Sequence, residues 1–195
     1  MKVSRISYLV SRGSLSLFFL LPTTYFLLPT CSAAISSEAQ RLIDQIEIDD
    51  PYLRRQAFLQ LEALREPETA SVIRHYLAHR QAELRALSVR ALAAIEGPQS
   101  VPTLMERLTK DRSPSVRLQA ILALEPFLAQ DAQPIPSLIK ALRDRQPDVR
   151  MAAIDVVSRI ETAQAREAIT VRWKRERHRD VRRVLEAAMK RLGKL

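Results

Sequence analysis

His75 and His79 stand four residues apart, a spacing that on a helix places two imidazoles on one face, where they could share a metal ion. A catalytic zinc takes three protein ligands, and no third converges here; the chain also carries no G-x-S-x-G, H-E-x-x-H or P-loop string. A second set of residues suggests recognition rather than bond making. The acid-base dipeptides Asp111-Arg112, Asp144-Arg145 and Glu176-Arg177 recur, with His79-Arg80 as a variant. They could expose a stripe of arginines that grips an acidic peptide or polyanion. Alternatively, acids and arginines of neighbouring segments could interlock, which is the reading their alternating signs favour, and exposed pairs of that kind contribute little individually. Trp173, the only tryptophan, sits amid Arg172, Lys174 and Arg175 and could fill a junction between segments or act as a cation–π platform. No catalytic, metal or cofactor site is expected.

What positions these residues is a repeat. The stretch DRSPSVRLQAILAL from Asp111 returns thirty-three residues later as DRQPDVRMAAIDVV from Asp144. A branched apolar residue followed by Arg marks the register five times, and the anchor arginines Arg54, Arg85, Arg117, Arg150 and Arg182 are 31, 32, 33 and 32 residues apart. A fixed period of this length is the sequence signature of a stacked array.

Each unit reads as two helices. Upstream of the anchors, apolar residues recur at spacings of three and four: Leu42, Ile43 and Ile46; Ile73, Tyr76 and Leu77; Leu104 and Leu108; Leu138 and Leu142; Ile169 and Trp173. The second helix begins just before the anchor, where Pro51, Pro114 and Pro147 lose no hydrogen bond in a first turn, and Asp50 and Ser113 are candidate caps. Three residues after the anchors come Ala57, Ser88, Ala120, Ala153 and Leu185; seven after come Leu61, Leu92, Leu124, Val157 and Met189. Small residues in most of the first column allow close approach, and large ones in the second fill the space between helices. The expected fold is all-α, a right-handed α-solenoid of about five stacked helix pairs, spanning units of about 37–65, 66–97, 98–130, 131–162 and 163–195. In this register the column of His75 holds Asp44, Arg107, Lys140 and Arg172, a solvated face rather than a metal site.

Residues 1–33 stand outside the array. Lys2, Arg5 and Arg12 precede the apolar run LSLFFLLPTTYFLL and the small-residue stretch CSAA, with no acid before Glu38, which is the pattern of a secretory signal peptide. The expected domains are therefore a signal peptide at 1–33 and a repeat domain at 34–195, exported to the periplasm or secreted. LPTC resembles a bacterial lipobox, so lipid anchoring through Cys31 is an alternative, as is an uncleaved signal anchor.

The pattern D-x-x-P-x-V-R-x-x-A-x-x-A-L, carried by the third and fourth units and more loosely by the others, resembles the short HEAT-like repeat of the phycobilisome-lyase type over about residues 37–193. The resemblance implies a stacked-helix solenoid used mostly as a protein-binding scaffold. Phycobilin lyases of this type work inside the cell as two-subunit complexes, which an exported chain would contradict. The His-Glu dipeptides of the HEAT-repeat hydroxylases are absent, since Tyr76, Arg80 and Arg179 follow the three histidines.

Two surfaces are candidates for binding. Leu118 and Met151 share a column with Arg55, Ala86 and Arg183, and Leu122 shares one with Leu59, Arg90, Asp155 and Ala187. Columns that accept charge should be exposed, so Leu118, Leu122 and Met151 could form an apolar protein-binding patch, with tighter local packing as the plainer alternative. The net charge is +9, and residues 171–195 hold ten bases against three acids. Arg172, Lys174, Arg175, Arg179, Arg183, Lys190 and Arg191 are therefore candidate anion-binding residues at one end of the stack. The expected function is a non-catalytic exported scaffold that binds a protein or peptide in the cell envelope. The alternatives are a binder of polyanions or anionic lipid through that basic helix pair, and an accessory subunit of an enzyme; nucleic acid is disfavoured outside the cytoplasm.

Overall fold

The computed structural model describes residues 34–194, and within them the chain forms ten α-helices joined by short turns and no strand. The expected signal peptide, its cleavage and the lipidation of Cys31 all fall in residues 1–33 and lie outside the described residues. The helices form five consecutive pairs: α1 Ser37–Glu47 with α2 Pro51–Leu64, α3 Ala70–Tyr76 with α4 Ala82–Glu96, α5 Val101–Lys110 with α6 Pro114–Leu124, α7 Ile135–Ala141 with α8 Pro147–Val157, and α9 Ala163–Arg175 with α10 Arg179–Arg191.

Local chemistry starts and stops these helices. Pro51, Pro114 and Pro147 are the first residues of α2, α6 and α8. Asp50 caps α2, its Oδ1 accepting from the N–H groups of Tyr52 (2.8 Å) and Leu53 (3.1 Å). Ser36 and Thr162 cap α1 and α9 through their hydroxyls. Ser113 does not cap α6 as its residue type suggests. Its hydroxyl instead pairs with that of Ser115, and its own N–H is held by Asp111, so the turn before α6 is organised by the acid two residues earlier. At the other ends, α4 stops at Gly97 with φ +57°, a backbone conformation that glycine adopts without strain, whereas α2 stops at Arg65 with φ +53°.

The even-numbered helices pack on one another in sequence, α2 on α4, α4 on α6, α6 on α8 and α8 on α10, and each odd-numbered helix packs on its partner. The resulting α-solenoid has one continuous core. The close-approach column Ala57, Ser88, Ala120, Ala153 and Leu185 is fully buried, as are Leu61, Leu92, Leu124 and Val157 of the filling column, with Met189 nearly so. Phe58, Val89, Ile121 and Ile154, which lie between these columns, are also buried, while the fifth pair places the exposed Glu186 there. No helix among the described residues is long and apolar enough to cross a membrane.

Candidate functional site

The anchor arginines sit at the first turn of each even-numbered helix, pointing along the stack. In the second, third and fourth pairs they make the same set of bonds. Arg85 Nε and Nη2 donate to Asp111 at 2.9 Å each, Arg117 donates to Asp144 at 2.7 and 2.8 Å, and Arg150 donates to Glu176 at 3.0 and 3.3 Å. Each acid belongs to the turn of the following pair. The third nitrogen, Nη1, reaches back to two carbonyls of the arginine's own turn: His79 and Arg80 for Arg85, Asp111 and Arg112 for Arg117, Asp144 and Arg145 for Arg150. The planar fork of arginine matches a carboxylate in two parallel bonds, which lysine could not do.

These forks are not surface pairs. Arg85, Arg117 and Arg150 are only 5%, 5% and 8% exposed, and Asp111 and Glu176 are buried with them. The expectation of exposed and individually weak pairs therefore needs correction. The arginine stem crosses the interface between two packed helices, so its guanidinium is desolvated, and breaking such a pair strands a buried charge. Each acid also accepts from the backbone of its own turn: Asp111 from Ser113 N–H (2.8 Å), Asp144 from Gln146 N–H (2.9 Å) and Glu176 from His178 N–H (2.8 Å). One carboxylate thus closes a turn and joins two units.

The electrostatics follow from this. Burial alone would raise the carboxyl of Glu176, but the His178 N–H and the guanidiniums of Arg172 and Arg150 outweigh it and bring it down to about 2. Burial likewise opposes ionisation of Asp111 and Asp144, yet Arg85 with Ser113 N–H and Arg117 with Gln146 N–H hold both below the ordinary carboxylate range.

The first junction departs from this pattern. His79 occupies the acid position of the second pair, and its Nδ1 accepts from Gln81 N–H (3.1 Å), so the ring keeps the turn but offers no carboxylate. Arg54 instead donates to the carbonyl of Ile46 (3.0 Å), the exposed carboxylate of Asp49 (2.9 Å) and the side chain of Gln81 (3.4 Å). A separate tie between α1 and α3 compensates in part: the Tyr76 hydroxyl donates to Glu47 while its ring meets Phe58 edge-on, and burial followed by the Glu47 bond raises the phenol above its ordinary value.

The fifth pair presents the same arginine with no carboxylate on it among the described residues. Arg182 Nη1 donates to the Glu176 carbonyl (3.2 Å), and its guanidinium carbon lies 4.6 Å from the centre of the Trp173 ring. Trp173 is half-buried against the core, and its cation is the anchor arginine rather than Arg172, Lys174 or Arg175.

Comparison with known proteins fits this geometry. The HEAT repeats profile matches residues 39–125 and 101–190. The chain belongs to the HEAT-repeat family. Among solved structures, the complex of CpcE and CpcF of phycocyanin lyase from Nostoc sp. PCC7120 contains a chain that is similar with a TM-score of 0.65 and 20% identity, covering 77% of this chain and 97% of that one. At that identity the likeness concerns the fold. No curated protein matches the sequence significantly.

In this HEAT-repeat chain the charged candidates divide by pairing. Arg172 is bound to Glu176, Arg179 and Arg183 to Asp180, Lys190 to Glu186 (2.9 Å), and Arg191 to Asp155 (3.1 Å) and the Ser158 hydroxyl (3.0 Å). Lys174 and Arg175, together with Arg177 and Arg182, which the charge count alone does not single out, have no acid within 4 Å among the described residues. Of the apolar candidates, Leu122 is 44% exposed and borders a 470 Å³ groove with Phe127, Pro126 and Arg90, while Leu118 and Met151 are half-buried against the core. His75 is exposed, His79 serves its own turn, and no group of three metal-ligating side chains occurs among the described residues.

Proposed function

We propose that this HEAT-repeat chain is an exported, non-catalytic scaffold that binds a protein or peptide partner in the cell envelope. Export is supported by the basic start, apolar run and small residues of the first 33 positions. The observation that carries the binding reading is the asymmetry of charge pairing. In the middle of the stack the anchor arginines and turn acids neutralise one another in buried forks, whereas around the turn between α9 and α10 Lys174, Arg175, Arg177 and Arg182 are left without acids. A rigid stack ending in unneutralised cations is a surface for an acidic partner.

The test is affinity capture from the envelope fraction at moderate salt, comparing the parent with Lys174→Glu, Arg175→Glu and Arg177→Glu combined. An acidic protein that co-elutes with the parent and not with the reversed chain supports the proposal; equal capture by both refutes it. Retention of the parent on anionic vesicles, with no protein captured, would favour the alternative of a polyanion or lipid surface binder. A second reading, accessory subunit of an enzyme, draws on the similarity to a chain of the two-protein phycocyanin lyase complex. It predicts that the captured partner is itself an enzyme whose turnover changes when this chain is added.

A further inference from the structure

The protein-binding reading can be narrowed to one side-chain edge. Arg182 keeps the inner half of the bonding seen at Arg85, Arg117 and Arg150: its Nη1 is held by a turn carbonyl, Glu176 O at 3.2 Å. In place of burial under a next pair, its guanidinium is stacked on Trp173 at 4.6 Å. One edge and one face are thus fixed. The remaining edge, Nε with Nη2, is the edge that carries the two carboxylate bonds in the inner pairs, and here it has no hydrogen-bond partner among the described residues. Arg182 is also exposed, unlike its three buried counterparts.

We infer that the Nε–Nη2 edge of Arg182 is a receptor for one carboxylate presented by an acidic turn of a different protein chain. The same chain shows three times what this edge accepts: a carboxylate that also closes a turn by taking an N–H two residues on. Pre-stacking on an indole removes much of the rotamer freedom an exposed arginine would lose on binding, so the fork is already organised for its ligand. Head-to-tail stacking on a second copy of this chain would not rebuild the inner fork. The position six residues before the anchor, occupied by Asp111, Asp144 and Glu176 in the last three units, holds Ile48 in the first, 47% exposed at the stack's other end. The contact is polar and reversible rather than an extension of the core, because Glu186 replaces the buried Phe58, Val89, Ile121 and Ile154 of its column and is paired with Lys190.

The inference rests on the protein-binding proposal, and its test separates the two. The Arg182 Nε–H resonance, displaced by the Trp173 ring, is followed in the ¹⁵N-labelled protein while an end-blocked peptide of the Asp144–Pro147 turn (Asp-Arg-Gln-Pro) is added, and again with the Asp144→Asn peptide. The expected result is a saturable shift with the acidic peptide and binding weaker by about tenfold or more with the amide, the difference between a charged and a neutral acceptor. Arg182→Gln should abolish peptide binding and Arg182→Lys should weaken it similarly, because an ammonium lacks the fork, with the helical circular dichroism of both variants unchanged. Equal response to both peptides overturns the inference. So does a response in which Lys174, Arg175 and Arg177 move as much as Arg182, or one in which inorganic phosphate displaces the peptide at equal concentration. Loss of partner capture on charge reversal without any Arg182 response would leave the scaffold reading standing and remove the receptor.

Discussion

The first junction of the stack and the three that follow it solve one problem with different chemistry. Between the second and fifth pairs, a buried arginine of one unit grips an acid that is closing the turn of the next, so register and turn geometry are specified by the same carboxylate. Between the first and second pairs, Arg54 reaches only a carbonyl, an amide and an exposed acid, and the tie passes instead through Tyr76 and Glu47. The difference teaches that the repeat tolerates loss of the acid where a ring nitrogen can keep the turn closed, but that what remains is a weaker joint.

The largest effect should come from cutting an inner fork. Arg117→Ala strands Asp144 and should cost about 3–5 kcal/mol in urea unfolding, whereas Arg54→Ala should cost about 1–2 kcal/mol because its acid is already in water. Equal losses would erase the distinction between the junctions. Acid titration comes next. A carboxyl depressed in the folded state contributes stability that is present above its unfolded value, near pH 4–5, and is lost as pH falls through its folded value. Asp111, Asp144 and Glu176 are all depressed, so the melting temperature should be level above about pH 5 and fall towards pH 2. Glu176→Gln should flatten that limb by about 3 kcal/mol, and an unchanged limb would mean the acid is not held as described.

The weak joint can also be rebuilt. His79→Asp places an acid where the other turns have one and should give Arg54 a forked partner, stabilising the chain by about 1–1.5 kcal/mol if the junction adopts the inner geometry. Destabilisation on this change would show that the first two units are spaced differently from the rest. The smallest effect is expected at the C-terminal end of α2. Arg65 adopts the left-handed conformation (φ +53°, ψ +36°) that glycine takes without strain, and Arg65→Gly should raise stability by about 0.5–1 kcal/mol in the same unfolding measurement.

Much of this architecture was legible in the residues. The anchor register predicted the helix pairs, because a column that must pack against a neighbour in every unit shows its constraint five times over; Ala57, Ser88, Ala120 and Ala153 are buried for that reason. The forks were visible as alternating charges, but not as buried ones. Composition treats arginine as a solvated residue, and only an acid recurring six residues before the anchor, in three turns and not in the first two, carried the signal that it is not. Column logic misled for Leu118 and Met151. The arginines sharing their column, Arg55 and Arg183, belong to the first and fifth units and are exposed, whereas Leu118 and Met151 are flanked on both sides and half-buried. Trp173 found its cation nine residues ahead, across the turn, a pairing that depends on how α9 and α10 fold back.

The direction of the forks has a consequence for how the chain is made. Every inner arginine precedes its acid by 26 or 27 residues, never the reverse. A chain emerging from a ribosome therefore completes each joint only when the next helix pair has appeared, and each arrival neutralises a charge left waiting in the segment before. Closing so short a loop costs little entropy and proceeds quickly, so assembly can advance like a zipper drawn from one end without a long-range search.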